Sequence, residues 1–206
     1  MITQSSDIED NNEDIEALIK KEVPQSIKFI TGSSKKMANL LDGLLQVSRI
    51  GSIVINFEKI DMNIKIQEIL NSLQFEIDEA QINVTTLPLP QCMADSNMMD
   101  HIFTNLINNA IKYKNPSNKS IIKISGWITD GGAIYCVEDN GIGIAPEHQK
   151  VIFDLFHRLY PDDKAGGTGL GLTIVARIVE RLSGKIWLES EPNKGSKFFI
   201  QLPKII

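Results

Sequence analysis

The sequence predicts a two-layer α/β sandwich, a mixed sheet with three helices on one face, preceded by a single long helix. Three observations carry that prediction. Helical apolar spacing and β-rich runs alternate in mixed order from residue 52 to the end. Two pairs of β-rich runs are joined closely enough to be hairpins. The stretch before residue 51 has helical spacing alone.

Taken in order, residues 1–16 are dominated by Asp, Glu, Asn, Ser and Gln, and are read with the few that follow, to residue 23, as a solvated and largely disordered lead-in. In residues 24–51, Ile27, Ile30, Ser34, Met37, Leu41, Leu44 and Ser48 fall at alternating three- and four-residue steps, a heptad seam with two polar breaks. Pro24 suits the first turn of that helix and Gly51 its stop. Such a stripe is buried only against a partner, either a second helix or the domain that follows. Residues 52–206 then form the second domain.

Within it, Val54–Ile60 reads as a strand, residues 62–79 as an amphipathic helix (Ile66, Ile69, Leu70, Leu73, Ile77) and Ile82–Thr86 as another strand. Pro88 and Pro90 mark a loop. Asp95–Tyr113 is a helix with Asp95 as N-cap and Phe103, Leu106, Ile107, Ala110 and Ile111 on its apolar face. Ile121–Thr129 and Ala133–Glu138 are strands joined by the turn Asp130-Gly131-Gly132. Pro146–Phe156 reads as a short helical segment, and residues 157–167 have no apolar period. Leu170–Leu182 is strongly helical, and Lys185–Ser190 and Lys197–Leu202 close the chain as a hairpin around Pro192–Gly195.

The bulk composition excludes several classes. A formal net charge of −5 argues against a dedicated nucleic-acid binder. No apolar stretch reaches the ~20 residues of a membrane span, and no signal peptide opens the chain, which together predict a cytoplasmic protein or the cytoplasmic part of a larger one. The two cysteines, Cys92 and Cys136, form no metal or redox motif, and Cys136 lies in an apolar run that reads as core.

Three blocks carry chemistry. Asn105 and Asn109 lie four apart on one helix face, with Lys112 three further on. An amide oxygen is a neutral hard ligand suited to Mg²⁺ that already carries a nucleotide's charge, and the lysine is a point charge for phosphate. Asp139-Asn140-Gly141-Ile142-Gly143-Ile144 follows a strand. A carboxylate there accepts an adenine amino group while small residues let the backbone close over the ring. Gly166-Gly167-Thr168-Gly169-Leu170-Gly171 runs directly into a helix, so bare N–H groups and the helix N-terminus both favour phosphate. Its spacing is neither that of a P-loop nor of a dinucleotide-binding turn. The three histidines, His101, His148 and His157, stand in no metal-ligand or nucleophile-activating pattern. His101 is expected to be partly buried or structural at the surface, His148 solvated, and His157 exposed, with contact to phosphates as its alternative.

In order and spacing, these blocks resemble the N, G1 and G2 boxes of the sensor histidine kinases, with Phe153-Asp154-Leu155-Phe156-His157-Arg158-Leu159 similar to the F box. The resemblance covers roughly residues 24–203. The short stretch from Arg158 to Gly167, and the ending Ile178-Val179-Glu180-Arg181 … Gly184-Lys185-Ile186-Trp187, look most like the phytochrome-type kinases. It implies the Bergerat-type ATP-binding fold shared with gyrase, Hsp90 and MutL, with ATP and Mg²⁺ as cofactors. It also implies roles at matching positions. Asn109 binds Mg²⁺ with Asn105 in support, and Lys112 and Arg158 approach phosphates. Tyr113 lies against adenine, Asp139 accepts its amino group, and Gly141, Gly143 and Ile144 shape the pocket. Thr168, Gly169, Leu170 and Gly171 hold phosphates by backbone N–H groups, and Gly167 is a lid hinge. Asn105 stands where the water-splitting relatives carry glutamate, and an amide cannot take a proton from water, so slow intrinsic ATPase activity is expected.

The chain departs from that family at the phosphoacceptor. No histidine here is followed by an acidic residue and a nearby proline on a first hairpin helix, and residues 27–51 resemble only the second helix of that dimerisation hairpin. A fragment cut after the first helix is the expectation, transferring the γ-phosphoryl group of ATP to a histidine on the missing helix for relay to a response-regulator aspartate. A homodimer through residues 27–49 is a further expected partnership. Two alternatives stay open: an ATP-sensing module that transfers nothing, and a serine kinase acting on a partner protein.

Overall fold

The computed structural model describes residues 18–52, 54–155, 157 and 169–204. Contacts divide the chain into two compact units, Met1–Leu44 and Leu45–Ile206.

The first unit is built on one helix. A π-helical turn, Leu18–Glu22, leads into α1, Val23–Ser52, which runs through Gly32 and Gly51 without a break. Nothing stands within 4 Å of where a Gly32 side chain would be, so this glycine is tolerated rather than required. Ile27, Ile30, Met37 and Leu41, four members of the predicted seam, are all more than half exposed.

The second unit takes in the end of α1, and its first strand is β1, Glu58–Ile60, shorter than the predicted strand because no described strand pairs with residues 54–57. After it come α2, Met62–Ser72, and α3, Gln74–Glu79. Asp61 caps α2, its Oδ1 accepting the N–H groups of Asn63 (2.9 Å) and Ile64 (3.5 Å). One helix was expected over 62–79, but Leu73 leaves helical geometry at ψ 11° and divides it. The apolar spacing runs on through the break, with Leu70, Leu73 and Ile77 all buried, so periodicity could not register it.

Next are β2, Asn83–Thr86, β3, Cys92–Ala94, and α4, Ser96–Lys112. β3 pairs antiparallel with β1 in a small separate sheet. Asp95 caps α4 as predicted, Oδ1 accepting Met98 N–H at 3.1 Å while Oδ2 takes Asn56 N–H at 3.0 Å. Strands β4, Ile121–Thr129, and β5, Gly132–Asp139, form the first hairpin. Helix α5 is Gly171–Arg181, and β6, Lys185–Glu191, and β7, Gly195–Leu202, form the second hairpin. Residues 146–155 form successive turns rather than the expected helical segment, with His148, Gln149, Val151 and Asp154 each donating to a carbonyl three residues back.

The main sheet has the order β2-β4-β5-β7-β6, parallel between β2 and β4 and antiparallel elsewhere. This is the mixed sheet predicted. Strand alternation sends Ile122, Ile124, Val137, Phe198 and Ile200 to one face, where α2, α4 and α5 supply Ile66, Ile69, Phe103, Leu106, Ile107, Val175 and Ile178 to the same core. Full burial of each such side chain contributes about 1.5–3 kcal/mol. The opposite face gathers Ile134, Cys136 and Phe199, with Trp187 stacked on Phe199 at 5.2 Å and Trp127 edge-on to it at 6.4 Å. Cys136 is a buried free thiol, as its setting predicted. Among the described residues no helix is long and apolar enough to cross a membrane.

Candidate active site

The expected site residues sit at three element ends, the C-terminus of α4, the loop after β5 and the N-terminus of α5. On α4, Asn105 Nδ2 donates to the His101 carbonyl at 2.7 Å. Its Oδ1 faces the start of α5, where a side chain added to Gly171 would stand 2.7 Å from it. Asn109 ends the helix by accepting Tyr113 N–H at 2.9 Å, and its half-buried side-chain amide bonds no described residue. Lys112 places its ammonium 4.8 Å over the Tyr113 ring.

Asp139 is the last residue of β5. Its Oδ1 accepts Gly141 N–H at 2.8 Å, and the N–H of Ser196, its ladder partner on β7, also favours the charged carboxylate. Those two donors favour the ion, yet burial outweighs them and pushes the carboxyl pKa up to about 6, with the Glu138 charge adding to the shift. Gly141 lies so close that a side chain there would strike the Tyr113 carbonyl oxygen. Ile142 donates its N–H to that same oxygen at 3.0 Å, which joins the loop to the end of α4. Asn140 fastens the loop from the other side, accepting Ile121 N–H and donating to the Lys119 carbonyl, both at 2.8 Å.

Helix α5 starts differently from α2 and α4. Leu170 occupies its cap position with its side chain 1% exposed in the core, and no described side chain bonds the first turn. The first intrahelical bond runs from Ile174 N–H to the Leu170 carbonyl at 2.8 Å, which leaves the N–H groups of Gly171, Leu172 and Thr173 without helical acceptors. Gly169 before it is left-handed at φ +72°, where only glycine is unstrained. Thr173 Oγ1 donates to the Asp154 carbonyl at 3.0 Å and ties the turns of 146–155 to this helix.

The structure therefore brings Asn105 to Gly171, and Tyr113 to Gly141 and Ile142, with Asp139 beside Gly141. Arg158, Gly167 and Thr168 lie outside the described residues, as does Phe156 of the predicted F box. The histidine expectations need correction. His148 and His157 are half-buried rather than solvated, because the turns fold their rings to within 6.1 Å of one another. His157 Nε2 is buried with no described partner, while His101 is exposed on α4. Sequence reasoning also passed over Asn140, Gln149, Ser190 and Ser196, which all bond the loop after β5 or Asp139. Only Asn140, inside the Asp-Asn-Gly turn, offered a signal. Among the described residues no group of three or more His, Cys, Asp or Glu side chains is placed to hold a metal ion.

Comparison with known families decides the assignment. The family described as histidine kinase-, DNA gyrase B- and HSP90-like ATPase matches residues 94–206, more than half of the chain and all three element ends. This chain belongs to that family. Its sequence is 36% identical over 207 residues to cyanobacterial phytochrome B of Nostoc sp., covering 96% of this chain and 26% of that protein. The fold resembles that of full-length ShkA in complex with AMPPNP, at a TM-score of 0.69 and 24% identity over 89% of this chain and 39% of that one. It also resembles the histidine kinase ThkA in complex with the response regulator protein TrrA, at a TM-score of 0.67 and 24% identity over 90% of this chain and 52% of that one. The histidine kinase-like ATPase domain here spans about a quarter of the length of the phytochrome it matches.

Proposed function

We propose that this chain binds Mg-ATP at the three converging element ends and serves as the catalytic part of a two-component sensor histidine kinase. It passes the γ-phosphoryl group to a histidine on a separate helix, and from there the phosphate moves to a response-regulator aspartate. The observation that carries this reading is the uncapped first turn of α5 standing against Asn105. Free N–H groups at a helix N-terminus hold anionic oxygens, and the helix dipole adds to the attraction. On the same reading Asp139, already oriented by Gly141, accepts the adenine amino group, and Tyr113 lies against the ring.

The residues present fit Mg²⁺ as part of the nucleotide complex. Asn109 offers a half-buried amide oxygen that no described residue uses, and Asn105 and Lys112 stand on the same helix. Bound there, the ion would neutralise charge on the phosphates. Lys112, now over the Tyr113 ring, reaches phosphate by rotating its flexible stem, and Arg158 supplies a second cation. On this reading Thr168 and Gly169 hold phosphate by their backbone N–H groups, and Gly167 serves as a lid hinge. Catalysis of this kind rests on positioning and charge rather than on covalent steps by the protein. Asn105 is an amide where hydrolysis would need a base, which suits transfer to another acceptor over loss to water.

Residues 24–51 act on this reading as the second helix of the dimerisation hairpin, pairing with the first helix or with a second copy through 27–49. Domain limits of 1–23, 24–51 and 52–206 and a cytoplasmic location belong to the same proposal. Calorimetric titration with Mg-ATP tests it. Binding by the native chain and its loss in Asp139→Asn are expected, and equal binding by both would overturn it. The alternative, an ATP-sensing module without transfer, is favoured by one observation: none of the three histidines lies on α1. Supplying the first-helix hairpin as a separate domain and assaying phosphohistidine separates the two readings.

A further inference from the structure

The loop 140–145 is held to α4 by one bond, but to the β6–β7 hairpin by several. Asn193 N–H donates to the Ile142 carbonyl at 2.7 Å. Ile144 N–H donates to Ser190 Oγ at 2.8 Å. Gln149 Nε2 donates to the carbonyls of both Ile144 (3.0 Å) and Ser190 (2.8 Å). The backbones interlock as well. A side chain at Gly143 (φ +68°) would land on the Glu191 carbonyl oxygen, and one at Gly195 (φ +101°) on that of Asp139. Gly143 is thus required by the hairpin, whatever it does for a ligand.

Ser190 stands at the centre of these contacts, and its proton count fixes their direction. A hydroxyl has one proton and two lone pairs. Ser190 Oγ lies 2.8 Å from the Gly195 carbonyl, which accepts its proton. One lone pair takes Ile144 N–H, and the other takes the hydroxyl of Ser196, 2.9 Å away. All three valences are filled, with Ser196 as the donor. Ser196 in turn is the register partner of Asp139 across the β5–β7 ladder. Two hydrogen bonds and one ladder pairing therefore connect Ile144, one wall of the proposed base pocket, through Ser190 and Ser196 to Asp139.

We propose that Ser190 is a positioning residue for base recognition, setting the separation between Ile144 and the Asp139 carboxylate, with Gln149 as a second clasp on the same loop. The hairpin then serves as a rigid backing for the base, although Ser190 itself touches neither base nor phosphate. This inference rests on the ATP-binding reading above.

The test compares Ser190→Thr with Ser190→Val, two side chains of the same shape that differ in the hydroxyl. Kd is measured for Mg-ATP and for inorganic triphosphate, which probes the phosphate end alone. The Val variant is expected to weaken ATP about tenfold and to leave inorganic triphosphate unchanged, while Thr stays within about twofold of native. A loss confined to the base end is a result that general loosening of the fold would not give. Equal ATP affinity in Val and Thr, or parallel losses for both ligands, would overturn the proposal. If the Val variant fails to fold, Gln149→Leu asks the same question of the other clasp, and an unchanged ATP affinity there counts against it. A native chain that binds no ATP would instead remove the underlying reading, and this inference with it.

Discussion

Ile142 gives its backbone N–H to the carbonyl of Tyr113 at 3.0 Å, so the loop that follows the candidate base acceptor Asp139 hangs directly from the end of the asparagine helix. The helix and the loop thus share one rigid joint.

The first prediction concerns pH. Burial holds the Asp139 pKa at about 6, above its ordinary value of 3.8. Only the ion is a full acceptor, so ATP affinity should fall about tenfold between pH 7 and pH 5, and Asp139→Asn should show a weak, pH-independent affinity. The stability effect has the opposite sense. The native state holds this proton more tightly than the unfolded state, so the group's contribution is best below pH 4 and is lost as pH rises to 6. Without nucleotide, the melting temperature of Asp139→Asn relative to native should therefore climb across that interval, measured by scanning calorimetry.

Three glycines should respond differently to alanine. At Gly171 the new methyl meets the tip of the Asn105 side chain at 2.7 Å, a group that can swing aside. Gly171→Ala should melt within a few degrees of native but lose nucleotide affinity. At Gly143 and Gly195 the methyl meets backbone carbonyls in a left-handed conformation, and each should cost about 2–4 kcal/mol in urea unfolding.

Asn105 offers a gain-of-function test. The native chain should release phosphate from ATP slowly. Asn105→Glu introduces a base at the same place, and its hydrolysis rate should rise by at least about tenfold in a phosphate-release assay.

Incubation of the chain alone with labelled ATP should leave it without acid-labile phosphate. Adding the separate first-helix hairpin should produce phosphohistidine on that hairpin.

The exposed seam of α1 gives a last expectation. Ile30 and Leu41 are 61% and 58% exposed, so sedimentation should detect concentration-dependent self-association through this helix. Ile30→Glu with Leu41→Glu should abolish it while leaving the melting of the second unit unchanged.

Much of this was legible in the sequence, for a physical reason. Helix α4 announced itself because Asp95 caps it and Phe103, Leu106, Ile107 and Ala110 repeat at helical spacing on a buried face. The mixed sheet was legible because its strands have one covered face and turn residues between them. β3 was not, since a strand of three residues, Cys92–Ala94, is too short to show a period. The division of the 62–79 helix at Leu73 escaped because both halves keep their apolar residues in phase. At the site, the motif residues were visible as types suited to metal, base and phosphate. Ser190 was not. A serine in the run Lys-Ile-Trp-Leu-Glu-Ser-Glu carries no mark of its partners, which come from residues 144, 195 and 196 only after the hairpin folds against the loop.

The chain's two tryptophans, Trp127 and Trp187, both rest on Phe199 on the sheet face turned away from the helices. Intrinsic fluorescence will therefore report melting of that layer faithfully and be nearly blind to events at Asp139. A titration followed at tryptophan emission could stay flat while the pocket fills, and an extrinsic dye on the purine is the appropriate optical handle.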